Sequence, residues 1–339
     1  MERTPNTITD TFSAFRNVKS KLQQEKNKLI LLLVTFSLCA AWFSLCHGRG
    51  WGNNHNNLTS WAFSGDCKVW GTPHYAMIYP VMKVRVASMW CAGRLIDQGD
   101  PRTVDDFAFL VGFYQLFWLV ATILVLWFAK EYSLQTGIIL FAGLMFSMTP
   151  GDHTIMFPWD MPSMFVWTLS YVFWLKNRLI EMVTTIVLGT LFKETVALQA
   201  FLLFFSSGSR IRQAWLFLAA FFGCVIVRLT VSHFVLHEAT LFDCNTGWKV
   251  GFGQGLLNFI IHPFNMRVLM TGCGFALVAI CLPIKAEIKA LMVLFAVLTS
   301  VAAILDGTNY ESRQYDDLLP LIGINLKNFD LRACKWETD

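Results

Sequence analysis

The strongest constraint on this chain is the recurrence of long apolar runs, each ending near a turn that carries Lys or Arg. A helix needs roughly 20 mostly apolar residues to cross a bilayer, and such runs recur along the whole chain of 339 residues. Charged residues make up 15% of the sequence, whereas a soluble domain is about one quarter charged. The sequence therefore predicts one integral membrane domain, and no block of the chain is basic enough to bind nucleic acid.

The basic residues orient the predicted spans. Residues 1–28 carry six Lys or Arg against three Asp or Glu, so we expect this tail to be cytoplasmic. The run 29–46 is then a retained anchor, and 47–106 is a long outer loop. Within that loop, residues 79–97 have the pattern of an amphipathic helix lying in the membrane interface. The other predicted membrane segments are 107–128, 133–148, 164–175, 180–206, 214–232, 263–283, 290–305 and 318–325, followed by a cytoplasmic tail, 327–339.

The segment 180–206 is long enough to cross as one helix, but Lys193 and Glu194 interrupt it. A single crossing would place both charges near the middle of the bilayer, at a cost of about 2.5–3.5 kcal/mol per charge. It would also bring the basic residues 209–212 to the outer side. Two half-spans that meet at Lys193 and Glu194 remove both objections. We therefore predict an all-α, polytopic membrane protein with about ten membrane segments, including these half-spans, in a bacterial inner membrane with both termini cytoplasmic.

The ionisable residues that this topology places on the outer face form several clusters. Ionisable residues within membrane domains usually belong to functional sites, but each cluster also has a structural explanation. The acids of the loops could stabilise turns or cap a helix, and the oppositely charged neighbours could be structural ion pairs. The clusters are Asp66; Asp152, His153 and Asp160; Lys193 and Glu194; and Glu311 and Arg313, with Arg85 on the interfacial helix.

These residue types suit one kind of chemistry in particular. A carboxylate beside a cation in a water-poor cleft can act as a general base. Lys and Arg can bind a phosphate leaving group, Arg in a bidentate manner. An amphipathic helix on the membrane surface can guide a lipid-linked substrate into the cleft. The combination predicts a transferase that uses a polyprenyl-phosphate-linked donor.

Two short motifs add a resemblance to a known class. "LGTLFKETVAL" has Lys-Glu after small and apolar residues, and "YESRQYDDLLPLI" has an acid and an Arg before a Pro-containing last segment. With the predicted architecture, these motifs resemble those of GT-C class membrane glycosyltransferases. The resemblance implies a catalytic base on the first outer loop, at Asp66, with Asp160 as the second candidate. It further implies donor-phosphate binding by Lys193, Arg313 and Arg85, orientation of these cations by Glu194 and Glu311, and a divalent metal (Mg or Mn) at Asp152 and His153.

The sequence leaves three functions open. The first is a glycosyltransferase that moves a sugar from a lipid-linked donor to an extracytoplasmic glycan, lipid or protein. The second is a transporter or lipid flippase, because interrupted helices with charges at the break also suit a substrate site. The third is a non-catalytic subunit that scaffolds protein partners in the membrane, whose outer charges would pair with each other.

Overall fold

The computed structural model describes residues 104–147, 160–235, 284–306 and 316–326, with short helical stretches and single helical residues within 23–41, 87–95 and 273–281. Within this part of the chain the fold is all-α, with no strand. The helices are α1 (Val104–Phe128), α2 (Leu134–Ser147), α3 (Asp160–Leu175), α4 (Leu179–Gly189), a 3₁₀ helix (Glu194–Phe205), α5 (Arg210–Val235), α6 (Ala286–Asp306) and α7 (Leu319–Leu326).

Helix α3 is the centre of the described bundle. It packs against α1, α4, the 3₁₀ helix and α7, and its side chains Trp167 and Tyr171 are fully buried. Around it, α2 packs against α7, and α5 packs against both α4 and the 3₁₀ helix. Helix α1 runs in the same direction as α3, because Trp118 contacts Phe165 and Gln115 contacts Met161. These contacts fix the position of the first turn of α3.

Small residues allow the closest helix contacts. A Cβ atom on Gly323 of α7 would lie 2.9 Å from the Cα atom of Thr136 in α2, and one on Gly223 of α5 would lie 2.6 Å from the side chain of Val187 in α4. Packing of this kind, with backbones brought together at glycine, is common between helices in membranes, where the apolar lipid gives no hydrophobic driving force.

The outer surface of the bundle is strongly apolar. Phe128 of α1, Ile180 of α4 and Trp215 of α5 are 76%, 73% and 68% exposed. Within α5, residues Arg210–Val231 are long and apolar enough to cross a membrane, and no other helix of the described ranges meets both criteria. Length and composition thus identify one candidate membrane span in this part of the chain.

The segment 180–206 turns back on itself, as predicted. Helix α4 ends at Gly189, and the 3₁₀ helix begins at Glu194 and packs against α4. The Ser207 hydroxyl, which follows the 3₁₀ helix, donates a hydrogen bond of 2.7 Å to the Asn177 side chain, which precedes α4. The two ends of the segment therefore meet, and the segment is broken at Lys193 and Glu194. That the two pieces are half-spans of a membrane stays a prediction.

Basic residues gather at the end of the bundle where α3 finishes. The Arg178 guanidinium lies 5.1 Å from the centre of the Phe173 ring, and Lys285 Nζ lies 5.5 Å from the centre of the Trp174 ring. Asp160 is at the opposite end of this helix, which at 16 residues is about 24 Å long. The basic turns and the first residue of α3 are therefore at opposite ends of the bundle.

Candidate functional site

Lys193 lies at the break between α4 and the 3₁₀ helix. Its backbone is extended, with φ −160° and ψ 136°, so the helical hydrogen-bond pattern stops at this residue. Its N–H still donates to the carbonyl of Gly189 at 3.2 Å, and its carbonyl accepts from the N–H of Val196 at 3.2 Å. These bonds tie the break to both flanking helices and turn the Lys193 side chain into the bundle, where the residue is 3% exposed.

The buried Lys193 ammonium pairs with two carboxylates. Nζ donates to Asp317 Oδ2 at 3.0 Å and lies 3.8 Å from Asp160 Oδ1. The Thr195 hydroxyl donates to the same Asp317 oxygen at 3.2 Å. Asp160 and Asp317 are themselves buried, at 4% and 1% exposure. We call Asp160, Lys193 and Asp317 the buried triad.

Each carboxylate of the buried triad lies at the start of a helix. Asp160 is the first residue of α3, where the partial positive charge of the helix N-terminus stabilises a carboxylate. This end of α3 is attached to α1, because the Gln115 side-chain oxygen accepts the N–H of Met161 at 3.1 Å. Asp317 lies just before α7, and α7 is held in place by its close contact with α2 at Gly323.

Three consecutive carbonyl groups at the break need partners that a continuous helix would have supplied. The buried Arg228 guanidinium of α5 donates to the carbonyl of Thr190 at 3.1 Å. The N–H of Ala87 donates to the carbonyl of Leu191 at 3.1 Å, and the buried Ser88 hydroxyl donates to that of Phe192 at 3.3 Å. In an apolar bundle these bonds permit the chain to leave the helix between Gly189 and Lys193.

Residues of the predicted interfacial helix thus pack against the break. Residues 87–88, 91–92 and 94–95 are helical, with Ser88 and Ala92 buried and Arg94 exposed. The Tyr114 hydroxyl of α1 donates to the carbonyl of Ser88 at 3.5 Å and joins the same contact. The described residues of the segment 79–97 are therefore helical, with Ser88 and Ala92 on the buried side. That this helix lies in a membrane interface stays a prediction.

The buried triad has a formal charge of −1, with two carboxylates and one ammonium. Lys193 Nζ is closer to Asp317 Oδ2 than to Asp160 Oδ1. The N-terminus of α3 adds a partial positive charge beside Asp160. A carboxylate that is held by packing and is short of water is suited to accept a proton from a bound hydroxyl group.

The structure brings two of the predicted site residues together, and it adds one that sequence reasoning missed. Asp160 and Lys193 belong to the buried triad, and Glu194 is the adjacent first residue of the 3₁₀ helix. Asp317 was missed, although its place directly before an apolar run matches that of Asp160 and was the available signal. The predicted residues Asp66, Arg85, Asp152, His153, Glu311 and Arg313 lie outside the described residues.

The described ranges contain no group of three or more His, Cys, Asp or Glu residues that could hold a metal ion. The two residues predicted to bind a divalent metal, Asp152 and His153, lie beyond those ranges. Within the buried triad, Lys193 already supplies the positive charge between the two carboxylates.

Comparison with known proteins gives no relative. The chain matches no protein-family model, no curated protein and no solved structure. The functional argument therefore depends on the residues of the chain and on their geometry.

Proposed function

We propose that the chain is a multi-pass integral membrane protein with about ten membrane segments, including the two short pieces that meet at Lys193. The exposed Phe, Trp, Ile and Leu side chains of α1, α4 and α5 support this proposal, since a monomer in water rarely exposes so much contiguous apolar surface. The basic turns at one end of the bundle support an orientation with that end in the cytoplasm.

We infer further that the protein is a glycosyltransferase similar to the GT-C class, which transfers a sugar from a polyprenyl-phosphate-linked donor to an extracytoplasmic acceptor. The observation that carries this inference is the buried triad, at the end of α3 opposite the basic turns. In the proposed orientation the triad is near the outer face, where lipid-linked sugars are used. Buried charges at a helix break are costly, and they are usually found in membrane domains where they serve a function.

In the proposed reaction Asp160 is the general base. The acceptor O–H bond breaks and its proton moves to the Asp160 carboxylate, while the acceptor oxygen forms a bond to the anomeric carbon. The bond from that carbon to the phosphate oxygen breaks, and its electron pair leaves with polyprenyl phosphate. Asp66 is the competing base, because the resemblance implies an acid on the first outer loop.

Lys193 has a changed role in this proposal. It lies beside two carboxylates in a triad of net formal charge −1, so it orients and partly neutralises Asp160 more readily than it binds a phosphate. Arg85 and Arg313 then bind the donor phosphate, and Glu311 and Glu194 orient these cations. A divalent cation at Asp152 and His153 would add positive charge beside the leaving group.

The test uses membranes that contain the full chain and a polyprenyl-phosphate-linked hexose with a radiolabelled sugar. The readout is label lost from the lipid fraction together with release of polyprenyl phosphate. General-base catalysis contributes about 10²–10⁴-fold, so Asp160→Asn is expected to slow release by at least about 100-fold. The matched control is Glu181→Gln, which changes an exposed, ion-paired carboxylate of α4 and should not alter the rate.

The variant Asp66→Ala separates the two candidate bases. If Asp66 is the base, its removal abolishes transfer and Asp160→Asn only weakens it. Normal transfer by Asp160→Asn, Asp66→Ala and Lys193→Ala, in protein that still inserts, would rule out the glycosyltransferase proposal.

The pairing of the buried charges with each other favours one alternative, a non-catalytic subunit that scaffolds a partner complex. A scaffold needs Lys193 and Asp317 only for stability. If the chain is a scaffold, the exchanged variant Lys193→Asp/Asp317→Lys should fold and co-purify with its partners as the wild type does, because it keeps an ion pair between the two positions. The enzyme proposal expects the same variant to fold and to remain inactive, since the charge beside Asp160 has been moved.

A further inference from the structure

Two basic turns meet at the end of the bundle where α3 finishes. One turn joins α3 to α4, and the other leads into α5. The hydrogen bond between Ser207 and Asn177 and the packing of α4 on α5 hold the two turns together. The turns carry four exposed cations, which we call the basic cluster: Lys176, Arg178, Arg210 and Arg212.

The positive charge of the basic cluster is mostly uncompensated. Arg178 pairs with Glu181, whereas the other three cations form no ion pair within the described part of the chain. Arg210 donates to neutral groups, a backbone carbonyl and the Gln213 side chain. The four cations and Glu181 together have a formal charge of +3. Such a surface attracts anions.

The turn that precedes α5 has a defined conformation. Gly208 has φ 127°, a value that favours glycine over other residues. The Ser209 hydroxyl accepts the N–H of Arg212 at 3.3 Å. The Arg212 side chain folds back over the turn, because its Cδ atom lies 3.5 Å from the place that a Cβ on Gly208 would occupy. The cations of α5 are therefore presented by an ordered turn.

An apolar stripe on α5 begins beside the basic cluster. Its members are three or four residues apart, so they share one face of the helix, and they are 38% to 72% exposed: Ile211, Trp215, Leu218 and Phe222. From Ile211 to Phe222 the helix rises about 16 Å, which is about half of a hydrocarbon core roughly 30 Å thick. The apolar stripe therefore has the length of one lipid leaflet.

The basic cluster and the apolar stripe together match an anion that carries an apolar tail. The candidate membrane span of α5 begins at Arg210, so the cations lie at the end of the span. Trp215 lies about one turn inside it, at the depth where Trp is common in membrane proteins. Guanidinium groups bind phosphate oxygens with paired hydrogen bonds. A free phosphate ion would use the cluster and leave the stripe uncovered.

We propose that the basic cluster and the apolar stripe bind one anionic phospholipid of the cytoplasmic leaflet. Its phosphate lies at the cations of the two turns, and its acyl chain lies along α5 from Ile211 to Phe222. The site depends on the proposed membrane placement but not on glycosyl transfer.

The experiment uses the full chain reconstituted in vesicles of equal parts phosphatidylglycerol and phosphatidylcholine. The protein is extracted in dodecyl maltoside and washed on an affinity resin, and the lipid retained per chain is counted by mass spectrometry. We expect wild type to retain phosphatidylglycerol over phosphatidylcholine. Arg210→Gln/Arg212→Gln and, on the other turn, Lys176→Gln should lower this preference by about 5-fold per cation removed, the contribution of a Lys or Arg near an anionic membrane surface.

The matched control is Lys130→Gln, which removes the same charge from an exposed residue at the same end of the bundle. Lys130 follows α1, which packs on α3, so this variant should keep the wild-type preference. Equal retention of the two lipids by wild type overturns the site, and so does an unchanged preference in Arg210→Gln/Arg212→Gln.

A second wash distinguishes the lipid from a free phosphate ion. If sodium phosphate removes the bound phosphatidylglycerol and sodium chloride of equal ionic strength does not, the cluster is a phosphate site and the lipid proposal is overturned. Extraction of the chain from cells without detergent would overturn the membrane placement and this site together. Failure to transfer sugar, in protein that retains phosphatidylglycerol, overturns only the glycosyltransferase proposal.

Discussion

The Lys193 ammonium compensates the negative charge of two buried carboxylates, so its removal should lower the free energy of unfolding. In Lys193→Met the carboxylates of Asp160 and Asp317 remain in the bundle without a cation. Breaking a buried ion pair in this manner typically destabilises by about 3–5 kcal/mol. We expect a loss of that size in the free energy of unfolding, measured by denaturant titration in mixed micelles.

The matched control for this prediction is Arg178→Met. Arg178 pairs with Glu181 at 2.6 Å, but the two side chains are 54% and 41% exposed. An exposed pair contributes about 0–1 kcal/mol, so this variant should unfold nearly as the wild type does. If Lys193→Met and Arg178→Met lost the same free energy of unfolding, burial would not explain the cost of breaking the ion pairs of the buried triad.

The residues of the buried triad were not equally predictable. Lys193 and Asp160 interrupt or begin apolar runs, and the cost of a charge in such a place makes each visible in the sequence. Their partner Asp317 is 124 residues from Lys193. Several acids precede the last apolar run, and their spacing alone does not show which of them pairs with Lys193.

At the scale of the elements, the break at Lys193 was predictable because the alternative, a continuous helix, would carry two charges into the bilayer. The partners of the break were not. Arg228 and residues 87–88 reach the break from distant parts of the chain. The sequence pattern around Lys193 cannot predict contacts of this kind. The apolar pattern also did not indicate that the second piece, Glu194–Phe205, forms a 3₁₀ helix.

The role of Arg228 leads to a prediction for this element. In Arg228→Met the carbonyl of Thr190 loses a buried, charged donor, and such hydrogen bonds contribute about 1.5–3 kcal/mol. We expect faster amide hydrogen exchange at residues 190–193, because the break opens more often while the helices around it stay folded. Arg212→Met, at the exposed start of α5, is the control. Unchanged exchange at 190–193 in Arg228→Met would contradict the proposed support of the break.

The contact between α2 and α7 gives a second prediction. In Gly323→Ala the added Cβ lies 2.9 Å from the Thr136 backbone, so the two helices must move apart. Overpacking of this kind costs about 1–3 kcal/mol, and a lower unfolding temperature should report it. Gly274→Ala adds the same atom where no neighbouring side chain or other helix of the described residues lies within 4 Å. That control should be neutral or slightly stabilising, since alanine favours helix over glycine; a similar loss in both variants would refute the packing argument.

At the scale of the whole molecule, the all-α class followed from the composition and the lengths of the apolar runs. The described helices begin and end within a few residues of the predicted segments, as for 107–128 against Val104–Phe128 and for 290–305 against Ala286–Asp306. The number of crossings and their orientation stay predictions, because length and composition identify one candidate span in the described ranges.

Cysteine labelling of intact cells tests the arrangement of the whole molecule. In a variant without other cysteines, single cysteines at Asn177 and Ser207 should behave alike, because these residues are hydrogen-bonded to each other. We expect a membrane-impermeant maleimide to label both only after permeabilisation, since they belong to the basic end of the bundle. A single native Cys67, on the predicted outer loop, should be labelled in intact cells. Labelling of position 207 alone from outside would mean that the segment 180–206 crosses the membrane once. Labelling of both positions from outside would reverse the proposed orientation and place the buried triad near the cytoplasm.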